Sequence, residues 1–240
     1  VITGREPGPA APVPAWLREL ADAAATMEVH PQLTPPASGG RESAVLILFG
    51  DGPDGPDLLF IQRSQGLRLH AGQPAFPGGA IDAGDGGPVA AALREAVEEV
   101  GLDPGGVVVV GTLPEVFIPR TGFRVVPVLA WWRQPSAVAP VDAGEVAAVE
   151  RVSVAELADP ATRLMVQVRD GRTTPAFRVR GMLIWGFTAA LVDRLLALGG
   201  WEKPWDVTRV EDLEQRADGL DNGEKAIPLG SCAVMCSTSS

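Results

Sequence analysis

The chain has 240 residues, 46% of them hydrophobic, which is enough for one sizeable mixed domain and short for two. Its balance is acidic, 20 Lys and Arg against 30 Asp and Glu, for a formal net charge of −10. Nucleic-acid binders usually carry a basic footprint, so no DNA or RNA partner is expected.

Residues 1–13 are rich in Gly, Pro and Ala and read as flexible. PAWLRELADAA follows as a short helix with Pro14 placed to start it. HPQLTPPASGG at 30–40 is a linker by composition. SAVLILFG reads as a buried strand, GDGPDGPD at 50–57 as a turn and LLFIQRS as the returning strand, so 43–64 is a hairpin. The Gly-rich stretch 66–88 is no single regular element. A helix from about Val89 to Val100 comes next, stopped by Gly101 and Pro104.

VVVVGTLPEV and FRVVPVLAWW are strands, with a turn at PRTG between them. The Trp131–Trp132 pair reads as a strand end in the core in preference to a stack for an adenine. EVAAVERV is a further strand, leading into a short helix near SVAEL. AFRVRG is a strand, and MLIWGFTAALVDRLLALGG a helix apolar on most faces. Asp193 and Arg194 interrupt that segment, so it is too short and too charged to span a bilayer. No basic stretch followed by an apolar run opens the sequence.

From about Glu211 the pattern turns polar, and the tail from Asp218 is expected to be dispensable. Cys232 and Cys236 in that tail make no disulfide framework and at most half a zinc site. A soluble, cytoplasmic protein without a membrane partner is the expectation. Strands outnumber helices, which favours a mixed α/β sandwich over a repeated βαβ fold.

REAVEEVGL, at 94–102, carries the chemistry. At about 100° per residue, Val89, Leu93, Val97 and Val100 form an apolar stripe with Ala96 at its edge. Glu95, Glu98 and Glu99 fall together on the other side, at i, i+3 and i+4, with Arg94 able to pair with Glu98. Like charges so close repel, which suits either a plain solvated face or carboxylates converging on a cation. FPGGAIDAGDGG runs straight into this helix, and such a loop brings backbone groups close to a ligand. Hard cations such as Mg²⁺ take oxygen ligands of this kind and bridge to substrate phosphates. Only Lys203 and Lys225 are lysines, and arginine, the remaining basic type, suits bidentate phosphate recognition. A small phosphorylated substrate is therefore compatible with the composition.

Gly79-x5-Asp85-x8-Arg94-Glu95-x-x-Glu98-Glu99-x-Gly101-Leu102 resembles the Nudix box, the signature of hydrolases that act on nucleoside diphosphates linked to another group. The usual pattern has glutamate where Asp85 stands and one residue fewer before the arginine. The resemblance implies a Nudix α/β/α sandwich around a mixed β-sheet. It implies Mg²⁺, with Mn²⁺ able to substitute, held by Glu95, Glu98, Glu99 and the carbonyl near Gly79, with Arg94 orienting the carboxylates. Glu145, which opens the EVAAVERV strand, is the candidate for a further base or ligand.

Upstream, Arg63-Ser64-x3-Arg68-x3-Gly72-x3-Phe76-Pro77-Gly78-Gly79 is similar to the motif that precedes the box in coenzyme A pyrophosphatases of the Nudix family. Phe60 and Ile61 stand where that motif has leucine and threonine. The shifted Asp85 and IWGFTAALVDRLL at 184–196 also resemble that subfamily. The expected activity is Mg²⁺-dependent hydrolysis of coenzyme A or acyl-coenzyme A to 3′,5′-ADP and 4′-phosphopantetheine or its acylated form. Arg63 and Arg68 are candidate phosphate contacts, for the pyrophosphate or for the 3′-phosphate, beside Gly78 and Gly79. His70 takes no role.

The other readings are a Nudix hydrolase of NADH, ADP-ribose or a nucleoside triphosphate, and a Nudix domain that binds a nucleotide metabolite without cleaving it. The expected division is an extension at 1–42, a Nudix domain at 43–200 and a largely flexible C-terminal extension at 201–240. Oligomeric state stays open.

Overall fold

In chain order, helix α1 (Ala15–Ala25) starts directly after Pro14 and buries Leu17, Leu20, Ala21 and Ala24, one face at helical spacing. The computed structural model from which this follows describes residues 12–66, 72–168 and 171–213, apart from the side chain of residue 32. A 3-10 turn (Pro31–Leu33) leads to strand β1 (Arg41–Gly52). Its run from Ala44 to Phe49 is almost continuously apolar, as a strand buried on both faces requires. The chain reverses into β2 (Gly55–Arg63), with Phe49 opposite Leu58 and Gly52 opposite Gly55.

Two short strands, β3 (Pro74–Ala75) and β4 (Gly78–Ala80), punctuate the Gly-rich stretch. Helix α2 (Pro88–Val100) has proline at its first position and ends at Gly101, whose φ of 67° places it in the left-handed region that closes helices. Strands β5 (Val107–Thr112), β6 (Val116–Ile118), β7 (Phe123–Trp132) and β8 (Val146–Ser153) follow. Ser153 caps the short helix α3 (Val154–Leu157), its Oγ accepting from the Glu156 N–H at 3.1 Å. Strands β9 (Arg163–Gln167), β10 (Thr173–Val179) and β11 (Met182–Ile184) precede helix α4 (Gly186–Leu198), and β12 (Val210–Asp212) closes the described chain.

The main sheet is mixed, ordered β3-β2-β1-β7-β5, with β4 also on β1, β6 on β7 and β8 on β2. Strands β1 and β7 run parallel in unbroken register from Arg41 opposite Phe123 to Phe49 opposite Trp131. Alternate β1 side chains serve two cores. Ile47 and Phe49 join α1 and α4, whereas Leu46 and Leu48 join Ala92, Ala96 and Val100 of α2. Helices therefore cover both faces, and the fold is the expected α/β/α sandwich. A second sheet, β11-β10-β9-β12, packs through β10 against α4.

Several elements differ from the sequence expectations. Met182–Ile184 is a strand paired with β10, and the last helix starts only at Gly186, because a short apolar run fits either period. Strands β9 and β12 were not expected; β9 forms a hairpin with β10, Gln167 opposite Thr173, whereas β12 pairs with β9 from far along the chain. The stripe of α2 is turned. Its fully buried positions are Ala91, Ala92, Ala96 and Val100, while Val97 is 39% exposed. Small alanines let the helix lie close to the sheet, and closeness outweighs side-chain size. Trp131 and Trp132 are core residues, 4% and 2% exposed.

Residues 201–213 fold back onto the domain. Trp201 meets Trp16 edge-on with centroids 5.3 Å apart, and β12 lies parallel to β9. The tail from Asp218, with Cys232 and Cys236, lies outside the described residues, as do residues 1–11. No helix among the described residues is long and apolar enough to cross a membrane.

One ion pair ties β9 to α4. Arg163 is 1% exposed and donates to Asp193, with Glu202 at 3.6 Å and the Trp205 ring 4.4 Å from its guanidinium carbon. Breaking one side of a buried pair leaves an uncompensated charge. Asp193→Ala is therefore expected to cost about 3 kcal/mol in urea denaturation, and replacing both partners by apolar residues to restore most of it. A loss under about 1 kcal/mol would show that Glu202 and Trp205 hold Arg163 without Asp193.

Candidate active site

Strand β4 lies antiparallel on β1, with Ala44 opposite Gly79 and Val45 opposite Gly78. Neither glycine has room for a side chain. A Cβ on Gly78 would come within 2.7 Å of Val45 Cα, and one on Gly79 would collide with the Glu95 carboxylate. The missing side chains let α2 approach the strand, so that Glu95 and Glu99, four residues apart, face it. Glu99 Oε2 accepts from the Gly78 N–H at 2.9 Å, and Glu99 Oε1 lies 3.7 Å from Arg63 Nη1.

Arg94 organises the same corner. Its Nε and Nη2 donate to the two Asp85 oxygens at 3.0 Å each, and Nη2 also to the Ala80 carbonyl at 3.0 Å. Its Nη1 donates to Glu95 Oε1 at 3.0 Å and to Glu98 Oε2 at 2.9 Å. The guanidinium fork thus ties the loop to the helix, a geometry that a lysine could not reproduce. The hydrogen bond from Arg94 holds the Asp85 carboxyl below the usual carboxylate range, and Arg94 is itself held more firmly protonated by Asp85. One residue of extra spacing before the arginine is accommodated, and Asp85 reaches Arg94 directly.

A cavity of about 470 Å³ opens beside these groups. Glu95, Glu99, Glu145, Arg63, Gly78 and Gly79 all line it. Burial pushes Glu99 up to about 7, against the opposing pull of the Gly78 N–H and Arg63; Glu95 and Glu145 add to the rise. Burial also raises Glu95, opposed by Arg94. Glu145 directly precedes β8, and its backbone carbonyl accepts from the Ser64 N–H at 2.8 Å.

The three box glutamates do not stand alike. The Glu95 and Glu99 side chains are 18% and 7% exposed, but Glu98 is 58% exposed, paired with Arg94, and outside the cavity wall. The structure brings Glu95 and Glu99 together with Glu145 and leaves Glu98 on the helix flank. The i, i+4 pair with Arg94 holds it there. Arg68 and His70 lie outside the described residues.

Among the described residues no group of three His, Cys, Asp or Glu is gathered as for a metal ion. The donor types nevertheless fit a hard cation. Glu95, Glu99 and Glu145 bring carboxylate oxygens to one cavity beside the β4 backbone, with Glu99 bonded to the Gly78 N–H and Glu95 to Arg94. Arg120, Thr174, Trp185 and Phe187 complete the wall and were not singled out from the sequence. Arg120 was visible only as part of a turn motif, and Thr174 carried no signal.

These features define the class. A model of the NUDIX domain matches residues 40–177, more than half of the chain, and the chain belongs to the Nudix family. It is an enzyme of the pyrophosphohydrolase kind; the family acts on small nucleotide derivatives, generally with divalent metals such as Mg²⁺. Over 189 residues it is 40% identical to the uncharacterized Nudix hydrolase NudL of Cronobacter sakazakii, covering 73% of this chain and 91% of that one. Over 101 residues it is 50% identical to NudL of Salmonella newport, covering 42% of this chain; that stretch spans about half, 52%, of the relative. A crystal structure of the Nudix hydrolase RenU from M. smegmatis is similar at a TM-score of 0.49 and 24% identity, covering 70% of this chain and 91% of that one.

Gly79→Ala tests the contact between β4 and the helix. The added Cβ displaces the Glu95 carboxylate, and misplacement of a catalytic group by about 1 Å costs on the order of a hundredfold in rate. We expect kcat to fall by that order with little change in melting temperature. An unchanged kcat would show that the position of Glu95 does not govern turnover.

Proposed function

We propose that the enzyme hydrolyses the pyrophosphate of coenzyme A or acyl-coenzyme A, giving 3′,5′-ADP and 4′-phosphopantetheine or its acylated form. The observation that carries this reading is Arg63. It comes from the segment that resembles the coenzyme A motif, and it lines the same cavity as Glu95 and Glu99, 3.7 Å from Glu99. A cation supplied by Arg63 at that point suits an anionic phosphoanhydride oxygen. Arg68, from the same motif, is proposed as a second phosphate contact. A cytoplasmic location goes with this reading, because that is where a coenzyme A pool lies.

Glu95, Glu99 and the backbone at Gly79 would hold Mg²⁺ or Mn²⁺, with Glu98 joining them by leaving Arg94. Such an ion, when bound, neutralises phosphate oxygens and lowers the pKa of a bound water. The protein's own groups do the positioning. Arg94 fixes Glu95 against the loop, the Gly78 N–H fixes Glu99, and Arg63 orients the anhydride. Water adds to one phosphorus and the bridging P–O bond breaks. The proton released passes to a carboxylate of the cavity, the role we assign to Glu145.

A panel of coenzyme A, acyl-coenzyme A, NADH, ADP-ribose and a nucleoside triphosphate, each with Mg²⁺ or Mn²⁺, tests the reading by the mass of the products. We expect 3′,5′-ADP and 4′-phosphopantetheine from coenzyme A, and no turnover after chelation. Turnover confined to the other substrates would reject it.

Arg63→Ala is expected to lower kcat/KM by about ten- to a hundredfold, the loss of one charge-assisted contact. Because Arg63 stands beside Glu99, coenzyme A and dephospho-coenzyme A should suffer alike. A loss confined to coenzyme A would move Arg63 to the 3′-phosphate.

A further inference from the structure

The cavity has a second polar region, away from the α2 carboxylates in the chain and built on other elements. Trp185, Gly186, Phe187 and Thr188, the residues that open α4, all line it. Gly186 has a φ of 65°, in the left-handed region, and the right-handed helix begins at once after it. A left-handed residue followed by right-handed ones turns successive N–H groups toward one point, a concavity suited to an anionic oxygen. The 13-residue helix adds the positive end of its dipole.

No side chain caps this end. Among the described residues, no acceptor takes the N–H groups of Gly186, Phe187 or Thr188. Thr174 is an independent sign. It belongs to β10, is 6% exposed and lines the same cavity, and its hydroxyl has no hydrogen-bond partner among the described residues. Buried hydroxyls are almost always paired, so an unpaired one on a residue that lines the same cavity as a row of unpaired N–H groups marks a place for an acceptor. Arg120 lines the cavity too and brings a positive charge to it.

We propose that the N-terminus of α4 and Thr174 form a phosphate-monoester subsite, separate from the carboxylate corner that handles the anhydride. The assignment of its occupant rests on the coenzyme A reading. With Arg63 engaged at Glu99, the second phosphate of such a substrate needs its own donors, and this stretch of wall supplies them. Donors from backbone N–H groups and a hydroxyl suit a monoester, whose three terminal oxygens accept from several directions.

Two measurements test the subsite. In the first, inorganic phosphate is titrated into the full chain without divalent metal, and backbone amides are followed by NMR. Saturable shifts are expected at Gly186, Phe187 and Thr188, with binding weakened about tenfold in Thr174→Val and in Gly186→Ala. The first variant keeps the side chain's shape, so it decides the matter if the second does not fold. Absence of saturable shifts at these amides overturns the subsite, whatever the substrate is.

In the second, kcat/KM is compared for coenzyme A and dephospho-coenzyme A. The ratio of the two is expected to fall about tenfold in Thr174→Val. An unchanged ratio, with both substrates still hydrolysed, overturns the assignment of the 3′-phosphate to this subsite and leaves the proposed function standing. Hydrolysis of neither by the unmodified chain rejects the function instead, and the phosphate titration then decides the subsite alone.

Discussion

Two carboxylates can sit on the buried side of one helix only if their charge is met. Glu95 and Glu99 are four residues apart on α2, and both face the sheet. Left unpaired, either would be expelled or neutralised. Arg94 meets Glu95, and the Gly78 N–H with Arg63 meets Glu99. The Gly78 N–H and the place of Glu95 both depend on backbone that has given up a side chain. Gly78 must press against Val45 for its N–H to face Glu99, and Gly79 must be bare for Glu95 to lie where it does. The pairing of β4 with β1 is thus inseparable from the position of the carboxylates.

That constraint explains which parts were legible in the sequence. The β1–β2 hairpin, α2 with its glycine stop, and the pairing of Arg94 with Glu98 are local patterns, and each lies where the sequence placed it, though the start of α2 at Pro88 was not read. The turned stripe of α2 was not legible. A wheel weighted by side-chain size favours Val97 over Ala92, whereas the helix packs against the sheet through its small Ala91, Ala92 and Ala96. The same rotation draws Glu99 inward and leaves Glu98 outside, a distinction that three identical letters cannot show.

The far part of the cavity was illegible for a different reason. Thr174, Arg120 and the start of α4 come from three separate segments that line one cavity only in the folded chain, where β10 of the small sheet packs on α4. No spacing rule links them. Residues 201–213 show the same effect, since Trp201 and Trp205 find partners on α1 and β9 that lie far back in the chain.

An acidic chain that binds a polyanion needs its charge arranged locally, because net charge acts against approach. The cavity does this unevenly. Its carboxylate corner is short of positive charge, and Glu99, pushed up to about 7 chiefly by burial, answers by holding a proton more readily than an ordinary glutamate. A substrate phosphate entering that corner meets the same shortage. A divalent cation relieves both, so cation and substrate must each raise the affinity of the other by the same factor. The α4 end differs in kind, since its uncapped N–H groups and the Thr174 hydroxyl are donors that no side chain there engages. A phosphate there gains from the protein alone. On the proposed reading, binding at one end is independent of the cation while binding at the other needs it, an asymmetry that would let an acidic protein first capture a polyanion and then commit it to hydrolysis.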